Sequence, residues 1–408
     1  MGGAKHKLKA PSVTIAGGSI AGLTTGLALL QRGWNVHIYE ASSENLEGRG
    51  AGVITHPSLF KAFDSLGINT DNDVGVNIRT RKTFDRHGEV VGTAEHEQVA
   101  TSWGRIYRLL KQKFPPKLYH NNTTVENFSQ SNDKVVSNLS NGSSVSSDLL
   151  VAADGIRSTL RRQLEPESTP QYVGYVAWRG LINEQDLTES ERKELLPYFT
   201  FCLPEGEQVL TYPVAGEHHR SSQGHRRMNV VWYRPADYEN TLMELLTDTN
   251  GNNNGASIAP DKVRPSIVKQ MQNDATKLLS PQHAKLMCSL TQPFIQPIYD
   301  LTTQSMAHGN IALVGDAAFT ARPHIGVGIT KAVEDSMALA ESLENNLEPS
   351  KAIELFNKQR HYRNRAWVDQ SRALGAYLQA QLASDLERQH ALKNRTMEAI
   401  MRDTASIK

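Results

Sequence analysis

The stretch that decides the fold lies near the start of the chain and reads VTIAGGSIAG over residues 13–22. Its first four residues form an apolar run of the kind that builds a buried strand, and the glycines that follow permit a sharp backbone turn. Beyond the turn, leucines recur at the spacing of one helix face, at Leu23, Leu27 and Leu30. The sequence therefore predicts a strand, a tight turn and a helix.

A second apolar stretch follows the helix and ends at Glu40. The resulting strand–helix–strand unit with a terminal acid is typical of dinucleotide binding, because the acid accepts hydrogen bonds from a ribose. Glycine is needed where the backbone approaches a pyrophosphate and where helix packs on strand, and Gly17 and Gly22 stand at such positions. Ser19 replaces the middle glycine of the usual pattern, so an ordinary glycine-rich turn is the alternative interpretation.

Two later segments repeat the pattern of a short buried strand that ends in an acid. Residues 149–153 are apolar and stop at Asp154, and residues 311–314 are apolar and stop at Gly315 and Asp316. A buried carboxylate needs a hydrogen-bonding partner, because burial without one is costly. We therefore expect both segments to return to the first sheet and to face a ligand. For Asp154, capping the helix that follows is an equal alternative.

The composition of the chain argues against several classes of function. The 408 residues are 39% hydrophobic, enough for two or three domains. The 44 basic and 43 acidic residues leave a net charge of +1, which favours neither a nucleic acid nor a membrane surface as partner, and no apolar run reaches signal-peptide or bilayer-spanning length. Two cysteines, Cys202 and Cys288, are too few for a disulfide framework or a zinc site. We expect a cytoplasmic protein without a metal, acting on a small molecule.

The pattern of apolar and polar residues indicates a second, sheet-rich domain inserted into the first. Hairpin character appears at about 70–100, where Gly88 and Gly92 are expected as turns, and again around Asn141-Gly142. Strands alternate from 166 to 300. From residue 351 the chain is helix-like and highly charged. The expected divisions are 1–72, 101–165 and 301–345 for the dinucleotide-binding domain, 73–100 and 166–300 for the substrate domain, and 346–408 for a helical C-terminal region.

Taken in this order, the three segments resemble the motifs of the single-component FAD-dependent aromatic hydroxylases of the para-hydroxybenzoate and salicylate hydroxylase type. Residues 151–158 are similar to the second motif of that family, and residues 315–318 to the third, which continues to Pro323, Gly326 and Gly328. The resemblance spans nearly the whole chain. It implies an α/β fold with a Rossmann-like FAD-binding domain of the GR2 type, an inserted mixed or antiparallel β-sheet substrate domain and C-terminal helices.

Within that family, three stretches resemble the hydroxypyridine hydroxylases of the 2,6-dihydroxypyridine 3-monooxygenase type. They are residues 17–20, 174–180 and 322–324. The resemblance implies FAD as cofactor, NADH or NADPH as a transient electron donor, and O₂. It implies hydroxylation of an electron-rich aromatic or N-heteroaromatic ring through a flavin C4a-hydroperoxide. The alternatives are a flavin-dependent oxidoreductase or epoxidase with a non-aromatic substrate, and a non-catalytic flavin-binding protein. Assembly as a homodimer is left open.

The cofactor-binding residues follow from the motifs and the resemblance. Asp316 is expected to bind the flavin ribityl hydroxyls, and the loop from Pro323 to the next helix start is expected to face the pyrimidine ring, where backbone N–H groups stabilise negative charge. Arg49 and Arg108 are candidates for phosphate or flavin contacts, with an ordinary surface position as the alternative. The full set is Gly17, Ser19, Ile20, Ala21, Gly22, Glu40, Arg49, Arg108, Asp154, Arg157, Gly315, Asp316, Pro323, Gly326, Val327, Gly328 and Ile329.

A base or hydrogen-bonding partner for the substrate hydroxyl completes the expected site. His324 is the first choice, because it adjoins Pro323 at the presumed flavin face and titrates near neutral pH. Tyr212 and His56 are second choices, and the alternative for each is a packed or exposed side chain without a catalytic role. Arg179 is expected either to bind an acidic substrate or to pack between domains.

Overall fold

The structure is a computed structural model that describes residues 10–48, 52–70, 74–131, 134–216, 220–253, 255, 257–344 and 348–407. Its strands are β1 Ser12–Ala16, β2 Asn35–Tyr39, β3 Gly52–Ile54, β4 Val76–Phe84, β5 Val90–Ser102, β6 Tyr119–His120, β7 Val125–Gln130, β8 Val135–Leu139, β9 Ser144–Ser147, β10 Leu149–Ala152, β11 Gln171–Asn183, β12 Tyr198–Cys202, β13 Gln208–Val214, β14 Arg227–Pro235, β15 Phe294–Asp300, β16 Ala307–His308 and β17 Ile311–Leu313.

Its helices are α1 Ile20–Gln31, α2 Pro57–Ser65, α3 Trp103–Lys113, α4 Thr159–Leu164, α5 Glu189–Glu194, α6 Met243–Leu246, α7 Pro265–Leu278, α8 Pro281–Ser289, α9 Gly328–Glu344, α10 Pro349–Gly375, α11 Asp385–Asn394 and α12 Met397–Asp403. Within the described ranges, no helix combines the length and the apolar character that crossing a membrane requires.

The first sheet brings together strands from distant parts of the chain. Its described strands run in the order β16-β17-β10-β1-β2-β6, and all neighbours pair in parallel except β16 with β17. Ala16 pairs with Ala152, which in turn pairs with Leu313. The carboxyl ends of β1, β10 and β17 are therefore level, and the residues that follow them emerge at one edge of the sheet.

Helices α1 and α9 cover one face of this sheet and pack against each other. Thr25 of α1 donates a hydrogen bond to Ser336 of α9 at 2.8 Å, and both residues are buried. Leu23 and Val333 belong to the same apolar core as the strand residue Leu150. This packing fixes the start of α1 relative to the start of α9.

The second sheet runs β15-β11-β14-β13-β12-β4-β5-β3 and is antiparallel except between β12 and β4. Successive side chains of β11 point to opposite faces. Trp178 packs with Met271 of α7 and Leu286 of α8 on one face, whereas Tyr175 and Ala177 belong to the other. Helices α7 and α8 therefore cover one side of the sheet and leave the other side for the interior of the molecule.

The predicted α/β architecture with an inserted sheet and C-terminal helices is confirmed by the structure. The expected turn at Asn141-Gly142 joins β8 to β9, and the helix-like C-terminal stretch forms α10, α11 and α12. Gly92, expected as a turn, lies inside β5, so that prediction is wrong. The expected domain limits stay a prediction, although β3 pairs with β5 of the second sheet from within residues 1–72.

Gly22 provides a test of how closely α1 approaches the preceding turn. A Cβ built on Gly22 would lie 1.9 Å from the carbonyl oxygen of Gly17, whereas a Cβ on Gly33 would have no described atom within 4 Å. We expect Gly22→Ala to lower the free energy of unfolding by about 3 kcal/mol through overpacking. Gly33→Ala should cost only about 1 kcal/mol, because its strain is limited to a φ of +78°. Urea denaturation measures both, and equal losses would contradict the close approach.

Candidate active site

The glycine turn after β1 is held by hydrogen bonds from β2. Gly17, at a φ of +97°, donates its N–H to the carbonyl oxygen of Tyr39 at 2.8 Å. Gly18 donates its N–H to Oε2 of Glu40 at 2.7 Å, and Oε1 of Glu40 accepts from the N–H of Ser42 at 2.8 Å. Glu40 thus fixes the turn, and each of its oxygens keeps a second lone pair for a ligand hydroxyl.

Asp154 caps the helix that follows β10. Its Oδ2 accepts a hydrogen bond from the N–H of Thr159 at 3.0 Å, and the Ser158 hydroxyl accepts from the N–H of Arg161 at 2.9 Å. Oδ1 of Asp154 is buried, and no described residue donates to it. Burial raises the pKa of this carboxyl. Capping, one of the two expected roles, therefore accounts for one oxygen of Asp154 but not for the other.

Asp316 follows β17 and sits above a buried lysine. Half of the Asp316 side chain is accessible, whereas Lys331 is fully buried with Nζ 3.7 Å from Oδ1 of Asp316 and 3.9 Å from Oδ2 of Asp335. These distances are too long for hydrogen bonds, and Nζ has no other partner among the described residues. The protein surroundings raise the pKa of Asp316 by desolvation, and Lys331 opposes that rise. Lys331 therefore favours the ionised carboxylate.

Asp335 ties two helices to the turn at Gly315. Its Oδ2 accepts from the N–H of Gly315 at 3.2 Å, and its Oδ1 accepts from Arg360 at 2.8 Å and from Asn364 at 2.9 Å. Arg360 also pairs with Glu334 at 2.8 Å. This buried network fixes the backbone at Gly315. The residue that follows, Asp316, is thereby held at the edge of the sheet.

Arg161 joins the second segment to the third. Its buried guanidinium donates to the carbonyl oxygens of Ile156 at 2.7 Å, Ser168 at 3.0 Å and Ala317 at 3.1 Å. Three carbonyl acceptors satisfy the guanidinium without a direct carboxylate contact. No motif in the sequence drew attention to Arg161, although it holds together two of the segments that the motifs identified.

One cavity of about 780 Å³ lies between the two sheets. This volume is within the range of about 300–1,000 Å³ that is typical of small-molecule and cofactor sites. The first-sheet side includes Ser19, Ile20, Ala21, Arg157, Asp316, Pro323, Gly326, Val327, Gly328 and Ile329. The second-sheet side includes Arg179, Leu210, Tyr212, Val231 and Tyr233. All three motif segments therefore reach the same space.

The remaining expected residues lie outside the cavity lining or outside the described ranges. Gly17, Gly22, Glu40, Asp154 and Gly315 form the turns behind the lining. Arg108 pairs with Glu47 at 3.6 Å, and Arg49 lies outside the described residues. No cluster of three or more His, Cys, Asp or Glu among the described residues is placed to hold a metal ion.

The structure places both candidate histidines behind the cavity wall. His324 is 3% exposed, and its Nε2 is 2.7 Å from the Tyr175 hydroxyl. Burial, aided by the nearby Arg322, lowers the pKa of His324 to about 3, so the imidazole is neutral at physiological pH. His56 is also buried, with Nδ1 3.0 Å from the Thr330 hydroxyl. Neither side chain is part of the cavity lining. A role for either histidine as the substrate base stays a prediction.

Two tyrosines present hydroxyl groups on the second-sheet wall. Tyr212, an expected site residue, stacks on Phe199 with ring centroids 4.9 Å apart. Tyr233 was not anticipated, although the alternation of β14 places it on the face of Val231. Burial raises the pKa of Tyr212, and raises that of Tyr233 to about 12, while Arg179 opposes both shifts. Both phenols are therefore neutral hydrogen-bond donors near pH 7.

Comparison with known proteins places relatives along most of the chain. A family model described as FAD binding domain-like matches residues 172–300. The chain is 29% identical over 368 residues to 2,6-dihydroxypyridine 3-monooxygenase of Paenarthrobacter nicotinovorans, covering 90% of this chain and 91% of that protein. It is 26% identical over 409 residues to 3-hydroxybenzoate 6-hydroxylase of Polaromonas naphthalenivorans (strain CJ2), covering 95% and 92%.

The structural likeness is equally extensive. The solved structure of 2,6-dihydroxypyridine-3-hydroxylase from Arthrobacter nicotinovorans matches with a TM-score of 0.85 and 27% identity. It covers 93% of this chain and 96% of that one. The likeness therefore extends over most of both chains rather than over the glycine turn alone.

Replacing the buried lysine tests its effect on the two carboxylates. We expect Lys331→Met to lower the free energy of unfolding by about 3 kcal/mol, because it leaves buried negative charge without its cation. The loss of Lys331 raises the folded-state pKa of Asp316 further above its unfolded value. The deficit should therefore be smaller at about pH 5 than at about pH 8.

Urea denaturation at the two pH values measures this effect. Lys351→Met is the matched control, because Lys351 is exposed and pairs with exposed Glu348. The control should leave stability nearly unchanged. A deficit for Lys331→Met that does not vary with pH would show that the lysine acts through packing alone.

Proposed function

We propose that this chain is an FAD-dependent aromatic hydroxylase and that it hydroxylates a small hydroxylated aromatic or N-heteroaromatic ring with NAD(P)H and O₂. The observation that carries the proposal is that one cavity joins three nucleotide-type motifs to the polar face of the second sheet. The relative named for 2,6-dihydroxypyridine makes hydroxypyridines the first substrate class to test.

The residues on the first-sheet side fit FAD. Gly155 and Gly328 both line the cavity, and a Cβ on either would have no described atom within 4 Å. A flat ligand therefore has room against the backbone at both points. We propose that Asp316 accepts hydrogen bonds from the ribityl hydroxyls and that Glu40 accepts them from the adenosine ribose. The N-terminal turn of α1 would hold the pyrophosphate, because its N–H groups favour negative charge.

The loop after the third motif would hold the other end of the cofactor. A short 3₁₀ turn over Pro323–Ile325 leads through Gly326, at a φ of +66°, to the start of α9. The first N–H groups of a helix have no intrahelical acceptor and carry partial positive charge. At the start of α9, residues 327–329 line the cavity. We propose that this helix start stabilises negative charge on the reduced cofactor.

Bound FAD, reduced by NAD(P)H, supplies the oxygen activation that ring hydroxylation requires. The chain itself binds the ring, orients it and excludes water. Leu210 and Val231 are buried apolar residues on the second-sheet wall, so they favour an aromatic ring over water there. We propose that Tyr212 and Tyr233 donate hydrogen bonds to substrate oxygens, because both remain protonated near pH 7. They orient the ring and do not act as bases.

We also propose a cytoplasmic, reducing setting. Cys202 and Cys288 are both free thiols in the structure. Burial raises the pKa of Cys202, which keeps it protonated and unreactive. Assembly as a homodimer stays a prediction that size-exclusion chromatography addresses.

Asp316→Ala tests the cofactor side of the proposal. We expect the variant to fold and to bind FAD roughly 100-fold more weakly, because hydrogen bonds to a charged acceptor contribute about 1.5–3 kcal/mol. The FAD-to-protein ratio after desalting and a fluorescence titration measure the loss. Asp261→Ala, at an exposed position, is the control and should retain FAD. Full occupancy in the Asp316 variant would remove the role given to this carboxylate.

Substrate stimulation tests the reaction. We expect hydroxypyridines or hydroxybenzoates to increase NAD(P)H oxidation by the FAD-loaded protein severalfold, with oxygen uptake and little peroxide release. Methoxy analogues of the same rings serve as controls, since they have no ionisable hydroxyl. NAD(P)H oxidation that no hydroxylated ring stimulates would argue against an aromatic hydroxylase.

A further inference from the structure

We infer that Arg179 forms an anion-binding subsite on the second-sheet wall of the cavity, and that the substrate ring binds there through a negatively charged oxygen. This inference rests on the proposed function and specifies the ionisation state of the substrate. The anionic oxygen belongs either to an ionised ring hydroxyl or to a ring carboxylate. The two sources have the same chemistry for a guanidinium, and the experiment below separates them.

The position of Arg179 in the sheet directs it into the cavity. It lies on β11, where it pairs with Val231 of β14 and with Phe294 of β15, and both of these residues also line the cavity. Its guanidinium donates to Oε1 of Gln296 at 2.9 Å and to the carbonyl oxygen of Gly52 at 3.2 Å. These two bonds orient the group without neutralising its charge.

Arg179 has hydrogen-bonding capacity left over. Its Nε is buried, and no described residue accepts a hydrogen bond from it. A guanidinium has five N–H donors in a rigid fork that suits a planar anion. The bonds to Gln296 and Gly52 use one N–H of each terminal nitrogen, so each terminal nitrogen keeps one N–H for a ligand oxygen.

The charge of Arg179 has no counter-ion among the described residues. Three other buried or half-buried arginines have one: Arg322 pairs with Asp300 at 3.0 Å, Arg360 with Asp335 at 2.8 Å and Arg226 with Glu184 at 2.8 Å. Arg81 and Arg161 instead donate to carbonyl or amide oxygens, and neither arginine lines the cavity. Arg179 alone in this group faces a ligand-sized space without a carboxylate partner.

The surroundings of Arg179 fit an aromatic anion better than a small inorganic one. Leu210 and Val231 supply apolar surface beside it, and Tyr212 and Tyr233 supply neutral hydroxyl donors. The field of Arg179 reaches both tyrosines, since it opposes the rise in their pKa values. A planar ring with one ionised oxygen would place its apolar faces against the aliphatic residues and its charge against the guanidinium.

Binding at this subsite also explains how the hydroxyl group of the substrate ring loses its proton. Neither candidate histidine lines the cavity, and both tyrosines are protonated near pH 7. A guanidinium that binds the anion favours ionisation of a ring hydroxyl, whose proton passes to solvent as the anion binds. The protein then needs no base of its own for this step.

The test uses FAD-loaded protein and three probes of similar shape: 4-nitrophenol, 4-nitrobenzoate and neutral 4-nitroanisole. Equilibrium dialysis measures each dissociation constant from about pH 6 to about pH 9, where the phenol ionises and the benzoate stays charged. Difference absorption reports whether bound nitrophenol is ionised. For the wild type we expect nitrophenol to bind more tightly as its ionised fraction rises, and to be bound as phenolate at pH values where the free probe is protonated.

Arg179→Met should weaken phenolate or benzoate binding roughly 10- to 100-fold and abolish the pH dependence, because a charge-assisted hydrogen bond is lost. Arg179→Lys should recover part of the affinity. Arg79→Met is the control, since Arg79 lies on β4 of the same sheet with an exposed side chain. Binding of nitroanisole should not change in any variant.

The outcomes distinguish a failure of the subsite from a failure of the proposed function. Preference for nitrophenolate over nitrobenzoate assigns the anion to a ring hydroxyl, and the reverse assigns it to a ring carboxylate. Equal anion affinity in wild type and Arg179→Met would overturn the subsite, as would failure of both anions to bind FAD-loaded wild type. Failure of the wild type to bind FAD would instead count against the proposed function.

Discussion

Ala16, Ala152 and Leu313 occupy one row of the first sheet, and this alignment decides where the polar residues after each strand come to lie. The three positions are far apart in the chain, so only the parallel pairing of their strands brings them together. A register slip of one residue would turn every side chain of a strand to the opposite face. Buried apolar residues on both faces of β10 and β17 resist such a slip, because either face would lose its packing. The pairing thus sets the geometry of the cavity edge.

The alignment of the strands does not by itself fix the loops that follow them. Buried charged groups hold these loops in place. Arg161 binds carbonyl oxygens of two loops at once, and Asp335 holds the turn at Gly315 through its N–H. Burying such groups costs desolvation energy that their mutual attraction does not always repay. In this protein, Arg161 and Asp335 each hold the backbone in one conformation at the sheet edge where Asp316 lies. Lys331 adds a local charge that favours the ionised form of this carboxylate.

Local signals in the sequence were sufficient for the strands and the glycine turn, because apolar runs and turn residues determine them over a few neighbouring positions. The buried cations were not predictable in this way. Arg161 and Lys331 lie in charged or mixed stretches that are typical of solvated helix faces, and their burial depends on partners supplied by other segments. Helices α7 and α8 were missed although Ile267, Met271 and Ala275 recur every four residues, since the region was interpreted as strands throughout.

His324 illustrates a different limit of sequence reasoning. It adjoins Pro323, which lines the cavity, and proximity in sequence suggested the same exposure. Both residues belong to a 3₁₀ turn, however, where successive side chains point about 120° apart. The rotation carries His324 toward Tyr175 and away from the ligand space. Tyr233 shows the opposite case, because the two-residue period of a strand would have placed it beside Val231 had the face been assigned.

The two walls of the cavity therefore suit different ligands: one suits the cofactor and the other suits the substrate. On the first-sheet wall, backbone N–H groups, glycines and Asp316 suit a cofactor rich in phosphate and hydroxyl groups. On the second-sheet wall, Arg179 has no carboxylate partner among the residues that the structure describes, and it lies among apolar and phenolic side chains. A ring that gives up its proton on meeting this arginine becomes electron-rich in the place where it must react. Recognition of the substrate and its activation would then be one event, driven by the same unneutralised charge.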